Sequence, residues 1–111
     1  MPEEPGSVLA LRSPDQPGTA VLALHGSIRR ADVAAIPRRA CVLLQGTDAV
    51  EIVCDVAAVD QVDAALVDAL ARLQVEARRH GRLLRVCHAP LELLELVDLM
   101  GLSAYLFLTV D

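Results

Sequence analysis

Tryptophan, lysine and asparagine are absent from this chain, and its aromatic rings are confined to Tyr105 and Phe107. Single-stranded nucleic acid is held by ring faces beside a positive groove, so the shortage of rings argues against it. A formal charge of -5 adds repulsion toward any phosphate backbone. Nucleic acid is therefore not an expected partner. All ten basic residues are arginine, a bias that fits GC-rich codon usage and carries no functional reading. No apolar run approaches the ~20 residues of a helical membrane span, and the acidic start Met1-Pro2-Glu3-Glu4-Pro5-Gly6 lacks the apolar centre of a secretory leader. A cytoplasmic protein without direct membrane insertion is expected.

Cys41, Cys54 and Cys87 are odd in number and contain no CxxC pair, so neither a disulfide framework nor a zinc site is advertised. Buried, inert thiols are expected. His25, His80 and His88 show no ligand spacing. Neighbours on a strand point to opposite faces, which argues against a nucleophilic pair made of Cys87 and His88. Asp55, Asp60 and Asp63 would hold magnesium only if their oxygens converged, which spacing at a strand end does not arrange. No catalytic residue, metal or cofactor is expected. A catalytic or ligand-binding domain using these three carboxylates would require a concave pocket there.

What the chain has in plenty is aliphatic. Apolar residues make up 54% of its 111 positions, above the roughly 45–50% of ordinary soluble domains, and leucine, valine and alanine supply 50 of the 60. One domain over residues 1–111, with one aliphatic core, is expected. Ser7 to Arg12 and Thr19 to His25 are strand-like runs separated by the turn formers Ser13 to Gly18, which reads as a hairpin. Ile28 to Gln45 has an irregular helical spacing interrupted by Pro37. Val50 to Val56 is a β-branched run expected to be covered on both faces.

Asp63 then caps a long helix, Ala64 to His80, which Gly81 ends in a left-handed conformation. Its core stripe is either Val62, Leu66, Leu70, Leu73 and Ala77, or Val67, Leu70, Gln74 and Ala77. Leu83 to Cys87 is a further strand, Leu91 to Met100 a helix between Pro90 and Gly101, and Tyr105 to Val110 a last strand. The class is α/β: a small mixed sheet of about five strands, an N-terminal hairpin followed by parallel strands, backed by three helices.

From Glu51 to Leu106 the residues resemble the STAS domain, named for sulfate transporters and anti-sigma factor antagonists. The likeness rests on Ile52 to Val56, Val62-Asp63 opening a helix that contains Val67 to Leu73, the stretch Ala77 to Val86, and Leu94 to Leu102. Leu22 to Ile28 resembles the family's second strand and glycine turn. The resemblance implies a bacterial, stand-alone, non-catalytic module of signalling and transcription regulation, similar to the anti-sigma factor antagonists. The implied partner is a kinase-type anti-sigma factor; the alternative is an accessory subunit that binds the ATPase of a lipid-transporting ABC complex. A homodimer through the third helix is a further expectation.

The family's switch is a serine in a D-S-x-G motif in the first turn of the long helix. Matched position by position, the aspartate falls on Asp63, the serine on Ala64 and the glycine on Leu66. Ala64 has no oxygen to phosphorylate. The implied partner-binding residues are Asp63, Ala64, Ala65, Leu66 and Asp68, with Leu66 exposed beside Ala64 if Val67 and Leu70 turn inward. Arg29 stands where antagonists often carry an acidic residue, inverting the local charge. Ser27 and Thr47 offer alternative hydroxyls. Leu91, Leu93, Leu94, Leu96, Val97, Leu99 and Met100 make the third helix apolar around most of its circumference, which favours partial exposure and contact. Arg78, Arg79, Arg82 and Arg85 are expected to serve mainly as cations near a helix C-terminus, with Glu76 pairing to Arg72 or Arg79.

Overall fold

The computed structural model describes residues 9–12 and 18–111. In chain order the elements are β1 (Leu9–Arg12), β2 (Thr19–Gly26), α1 (Arg30–Leu43), β3 (Glu51–Val59), α2 (Ala64–Arg79), β4 (Leu83–Cys87), α3 (Leu91–Leu99) and β5 (Phe107–Leu108). The five strands form one sheet in the order β1-β2-β3-β4-β5. β1 pairs antiparallel with β2, and the other three pairings are parallel. The α/β class, the hairpin and the parallel strands thus agree with the sequence reading; residues 7, 8 and 13–17 of the expected hairpin lie outside the described residues.

Strand order decides where the helices go. Every crossover steps one strand in the same direction, and crossovers of the usual right hand then place all three helices on the same face. Burial follows that rule. Leu22 and Leu24, Ile52, Cys54 and Val56, and Leu84 and Val86 are buried under the helices. Their alternates Val21, Ala23 and Val53 are half-buried, and Leu83 and Arg85 are exposed. The expectation that β3 is covered on both faces is therefore corrected: covering both requires a reversal of strand order, and there is none.

α2 is the middle helix, packed on α1, on α3 and on the sheet, so the helical residues of both candidate stripes are buried, while Val62, just before the helix, is half-buried. Ala65, Leu66, Val67, Ala69, Leu70, Leu73, Gln74 and Ala77 all lie inside. Gln74 is fully buried; its Nε2 donates to the carbonyls of Leu84 at 3.4 Å and Tyr105 at 3.1 Å, fastening α2 to β4 and to the segment before β5. The end of α2 is a glycine cap. Gly81 has φ 69°, its N–H donates to the Arg78 carbonyl, and the Arg82 N–H donates to that of Ala77 at 2.8 Å.

α1 begins two residues later than its apolar spacing suggests and runs through Pro37. The missing N–H at Pro37 removes one ladder bond, yet Val33, Ile36 and Ala40 still reach the core. At its start the Arg29 N–H donates to the Asp32 carboxylate at 2.9 Å. β5 is shorter than expected because Tyr105 and Leu106 belong to a turn, both N–H groups donating to the Leu102 carbonyl.

Candidate protein-docking surface

The residues expected at the tip of the long helix occupy one corner of the molecule, divided between surface and core. Asp63 is extended (φ -146°, ψ 179°), and its carboxylate accepts from the Leu66 N–H at 3.0 Å. This satisfies one of the free donors that begin any helix. Truncation of this side chain, Asp63→Ala, is expected to lower stability by about 1 kcal/mol, measurable by urea denaturation with an unchanged slope. Ala64, the first helical residue, is exposed. Ala65 is 9% exposed and Leu66 0%.

The expected exposed leucine beside Ala64 is thus corrected. Leu66 points into the core because α2 is covered on three sides. Asp68 is half-buried and paired twice, with Arg30 at 2.9 Å and with Arg72 at 3.0 Å. The Arg30 contact ties the start of α1 to the first turns of α2, so Arg29 and Arg30, both exposed, stand at the same corner as Ala64.

α3 supplies the apolar part of the corner. Leu93 and Val97 are buried, whereas Leu91 is 66% and Leu99 82% exposed. Val62, Leu96 and Leu99, with Glu92 and Glu95, line a shallow groove between α3 and the segment leading into α2. The partial exposure expected of this helix is present. A wider crevice of about 640 Å³ adjoins it, with Asp60, Asp63, His88 and Pro90 in its walls. The surface beyond the C-terminal ends of the parallel strands is therefore concave, as is usual for α/β sheets.

Concavity does not bring the three carboxylates together. Asp55 is buried and outside the crevice lining; its carboxylate meets His88 Nδ1 at 3.0 Å and accepts from the Ala57 N–H at 2.9 Å. His88 has left the strand, with φ 58°, a left-handed conformation uncommon for non-glycine residues. Its Nδ1 consequently lies 3.4 Å from Cys87 Sγ, which corrects the argument that these neighbours point apart. Among the described residues, two groups bring a thiol, an imidazole and a carboxylate together: Asp55, Cys87 and His88, and Cys41, Glu76 and His80. Cys87 and His88 are adjacent and Glu76 and His80 one helical turn apart, but Asp55 and Cys41 join them from other elements, which sequence spacing does not show.

The arginines near the end of α2 have partners within the molecule. Arg78 lies over the Tyr105 ring, Arg79 pairs with Glu76 and Arg85 with Glu51, while Arg82 Nη2 donates to the carbonyls of Leu44 and Thr47. Glu76 also meets His80 at 3.0 Å, and Arg72 serves Asp68. The three thiols are free, but only Cys54 is buried; Cys41 and Cys87 are half-buried, which corrects the expectation for those two. Burial, and then the charges of Cys87 and Asp55, push the Cys54 thiol far up. A thiol reagent is expected to modify Cys41 and Cys87 in the native protein and to reach Cys54 only on unfolding, as intact mass against time would record.

A family model described as "Mlab, STAS domain" matches residues 11–109. Among solved structures, the chain is similar to the anti-sigma factor antagonist SpoIIAA in its unphosphorylated form, with TM-score 0.67, 13% identity, and coverage of 93% of this chain and 89% of that one. It is also similar to the Bacillus cell fate determinant SpoIIAA in the phosphorylated form, with TM-score 0.62, 14% identity, and coverage of 93% and 92%. At these identities the likeness to the solved structures is one of fold. No curated protein matches. Among the described residues, no helix is long and apolar enough to cross a membrane.

Proposed function

The chain belongs to the STAS domain family, and on that premise we propose that it is a non-catalytic regulatory module that docks a protein partner at the corner formed by α2 and α3. The family is a regulatory one and not enzymatic. The observation that carries the proposal is Ala64: a methyl group exposed directly after the capping aspartate, at the position to which the family's switch serine maps. Asp63 and Asp68 form a polar lip around the Ala64 methyl group, with Ala65 beneath it. Val62, Leu96 and Leu99 add the apolar groove. The partner class is a kinase-type anti-sigma factor.

A phosphate placed at that position would bring about two negative charges beside Asp63 and Asp68 and would repel an acidic contact. Ala64 cannot receive it, so docking is not released through this position. The variant Ala64→Ser tests this reading. Incubated with the bound anti-sigma kinase and ATP, it is expected to gain one phosphate by intact mass and to be released, while the parent gains none and stays bound. If the variant remains unmodified in a stable complex, this partner class is wrong. The missing hydroxyl at position 64 also favours a second reading, an accessory subunit held on the ATPase of an ABC transporter. Co-purification with an ATPase in place of a kinase decides for it.

A further inference from the structure

β3 and β4 run side by side, and their register places Asp55 opposite Cys87. Alternation along each strand directs both side chains to the sheet face that the helices leave open, since their neighbours Cys54 and Val86 are buried beneath the helices. In a regular strand His88 would point to the other face. Its left-handed backbone, φ 58°, instead returns the ring to Asp55 and Cys87. A carboxylate, a thiol and an imidazole therefore meet at the ends of two paired strands, their ligand atoms all within 4.8 Å of one another.

Both contacts of the ring fall on one atom. Nδ1 is 3.0 Å from an Asp55 oxygen and 3.4 Å from the Cys87 sulfur. A ring nitrogen carries either one hydrogen or one lone pair, so it cannot make a full hydrogen bond to both. A cation seated among the three atoms accounts for both distances. With bonds of about 2.0 Å to nitrogen and oxygen and about 2.3 Å to sulfur, a tetrahedral zinc ion sets nitrogen about 3.3 Å from oxygen and about 3.5 Å from sulfur. The observed separations are shorter by only a few tenths of an ångström. The same Asp55 oxygen accepts from the Ala57 N–H at 2.9 Å, the kind of outer contact that holds a ligating carboxylate in place. Arg85, on the same face of β4, is engaged by Glu51 at 3.0 Å, which draws its charge toward the other end of the strands.

We propose that Asp55, Cys87 and His88 bind a zinc ion, with water as the fourth ligand. A thiolate and an imidazole select a transition metal of this kind over magnesium or calcium. The His88 side chain is 52% exposed and stands in the wall of the crevice beyond the strands, which gives the ion a way in and leaves room for the water. Three protein ligands with one open position is a common zinc arrangement. The other group, Cys41, Glu76 and His80, is a poorer site. Its sulfur stands 3.9 Å from the ring nitrogen, and Glu76 is shared with Arg79 at 3.7 Å, a cation that opposes a second one. No protein partner is needed to test the zinc site.

The experiment is a Co2+ titration of the reduced full chain, followed by displacement with Zn2+. One bound equivalent is expected, with thiolate-to-cobalt charge-transfer absorption and the intense visible bands of a four-coordinate ion, all lost as Zn2+ is added. Cys87→Ser is expected to abolish the charge-transfer absorption and to weaken Zn2+ at least tenfold, while Cys41→Ser leaves both unchanged. His88→Gly, which suits the left-handed backbone, is expected to weaken Zn2+ at least tenfold and carries the test if Cys87→Ser fails to fold. Absence of a saturable Co2+ spectrum in the parent, or its persistence in a folded Cys87→Ser or His88→Gly, overturns the site. Loss in Cys41→Ser with retention in Cys87→Ser places the metal at the other group and overturns it equally.

Discussion

Leu66→Ala is expected to cost about 2–5 kcal/mol of folding stability, the range for deletion of a buried leucine side chain. Leu66 is fully buried at the start of α2, where the helix meets the aliphatic core. Domains of this size are stable by only about 5–15 kcal/mol, and each kcal/mol shifts Tm by roughly 4–8 °C near 100 residues. A fall in Tm of about 10 °C or more is therefore expected by calorimetry. Had Leu66 been the exposed contact that the family register implies, the same change would lie within about 0.5 kcal/mol of neutral. The measurement thus separates the two placements of one residue.

Ala64→Arg is expected to do the reverse. Its side chain is exposed at the first helical position, so the larger residue meets solvent and stability changes by no more than about 0.5 kcal/mol. A cation is slightly unfavourable at a helix N-terminus, by about 0.3–1 kcal/mol at most, an effect partly offset here by Asp63 and Asp68. Partner binding is expected to weaken at least tenfold, or about 1.4 kcal/mol, because a long charged side chain would hold the docking surfaces apart. Isothermal titration against the partner, alongside a thermal melt of the same sample, reads both effects. A variant that melts early and binds poorly would speak only of folding.

The contrast between adjacent positions shows what the sequence made legible. The Asp63 cap and the Gly81 stop could be read directly, because capping chemistry is local and needs no tertiary information. The class and the parallel pairing of the later strands followed from alternation of elements; the strand order did not. The facing of Leu66 did not, since an apolar residue on a helix turns inward or outward according to how many neighbours the helix has. α2 has three: α1, the sheet and α3. The single-sided sheet was misread for a related reason. A run such as Val50 to Val56 looks apolar on both faces, and the strand's environment is set by crossover direction, which the run does not encode.

His88 escaped sequence reading on different grounds. Its left-handed backbone, φ 58°, turns the ring back toward Asp55 and Cys87, and no residue pattern requires histidine at such a position. The groove of Val62, Leu96 and Leu99 was legible in part. The apolar circumference of α3 suggested exposure, but the contribution of Val62 depends on how the segment entering α2 runs past α3. The Arg30 to Asp68 pair, 38 residues apart in sequence, joins two helices and left no local trace.

Capture of a partner by three versions of the protein, the parent, Ala64→Arg and Val42→Arg, tests the proposed corner most directly. Val42 is exposed near the far end of α1, so its variant carries the same added charge away from Ala64. The expected result is a complex with an anti-sigma kinase or a transporter ATPase retained by the parent and by Val42→Arg, and lost from a fully folded Ala64→Arg. Retention of the same partner at equal strength by all three would show that the start of α2 is not where it docks.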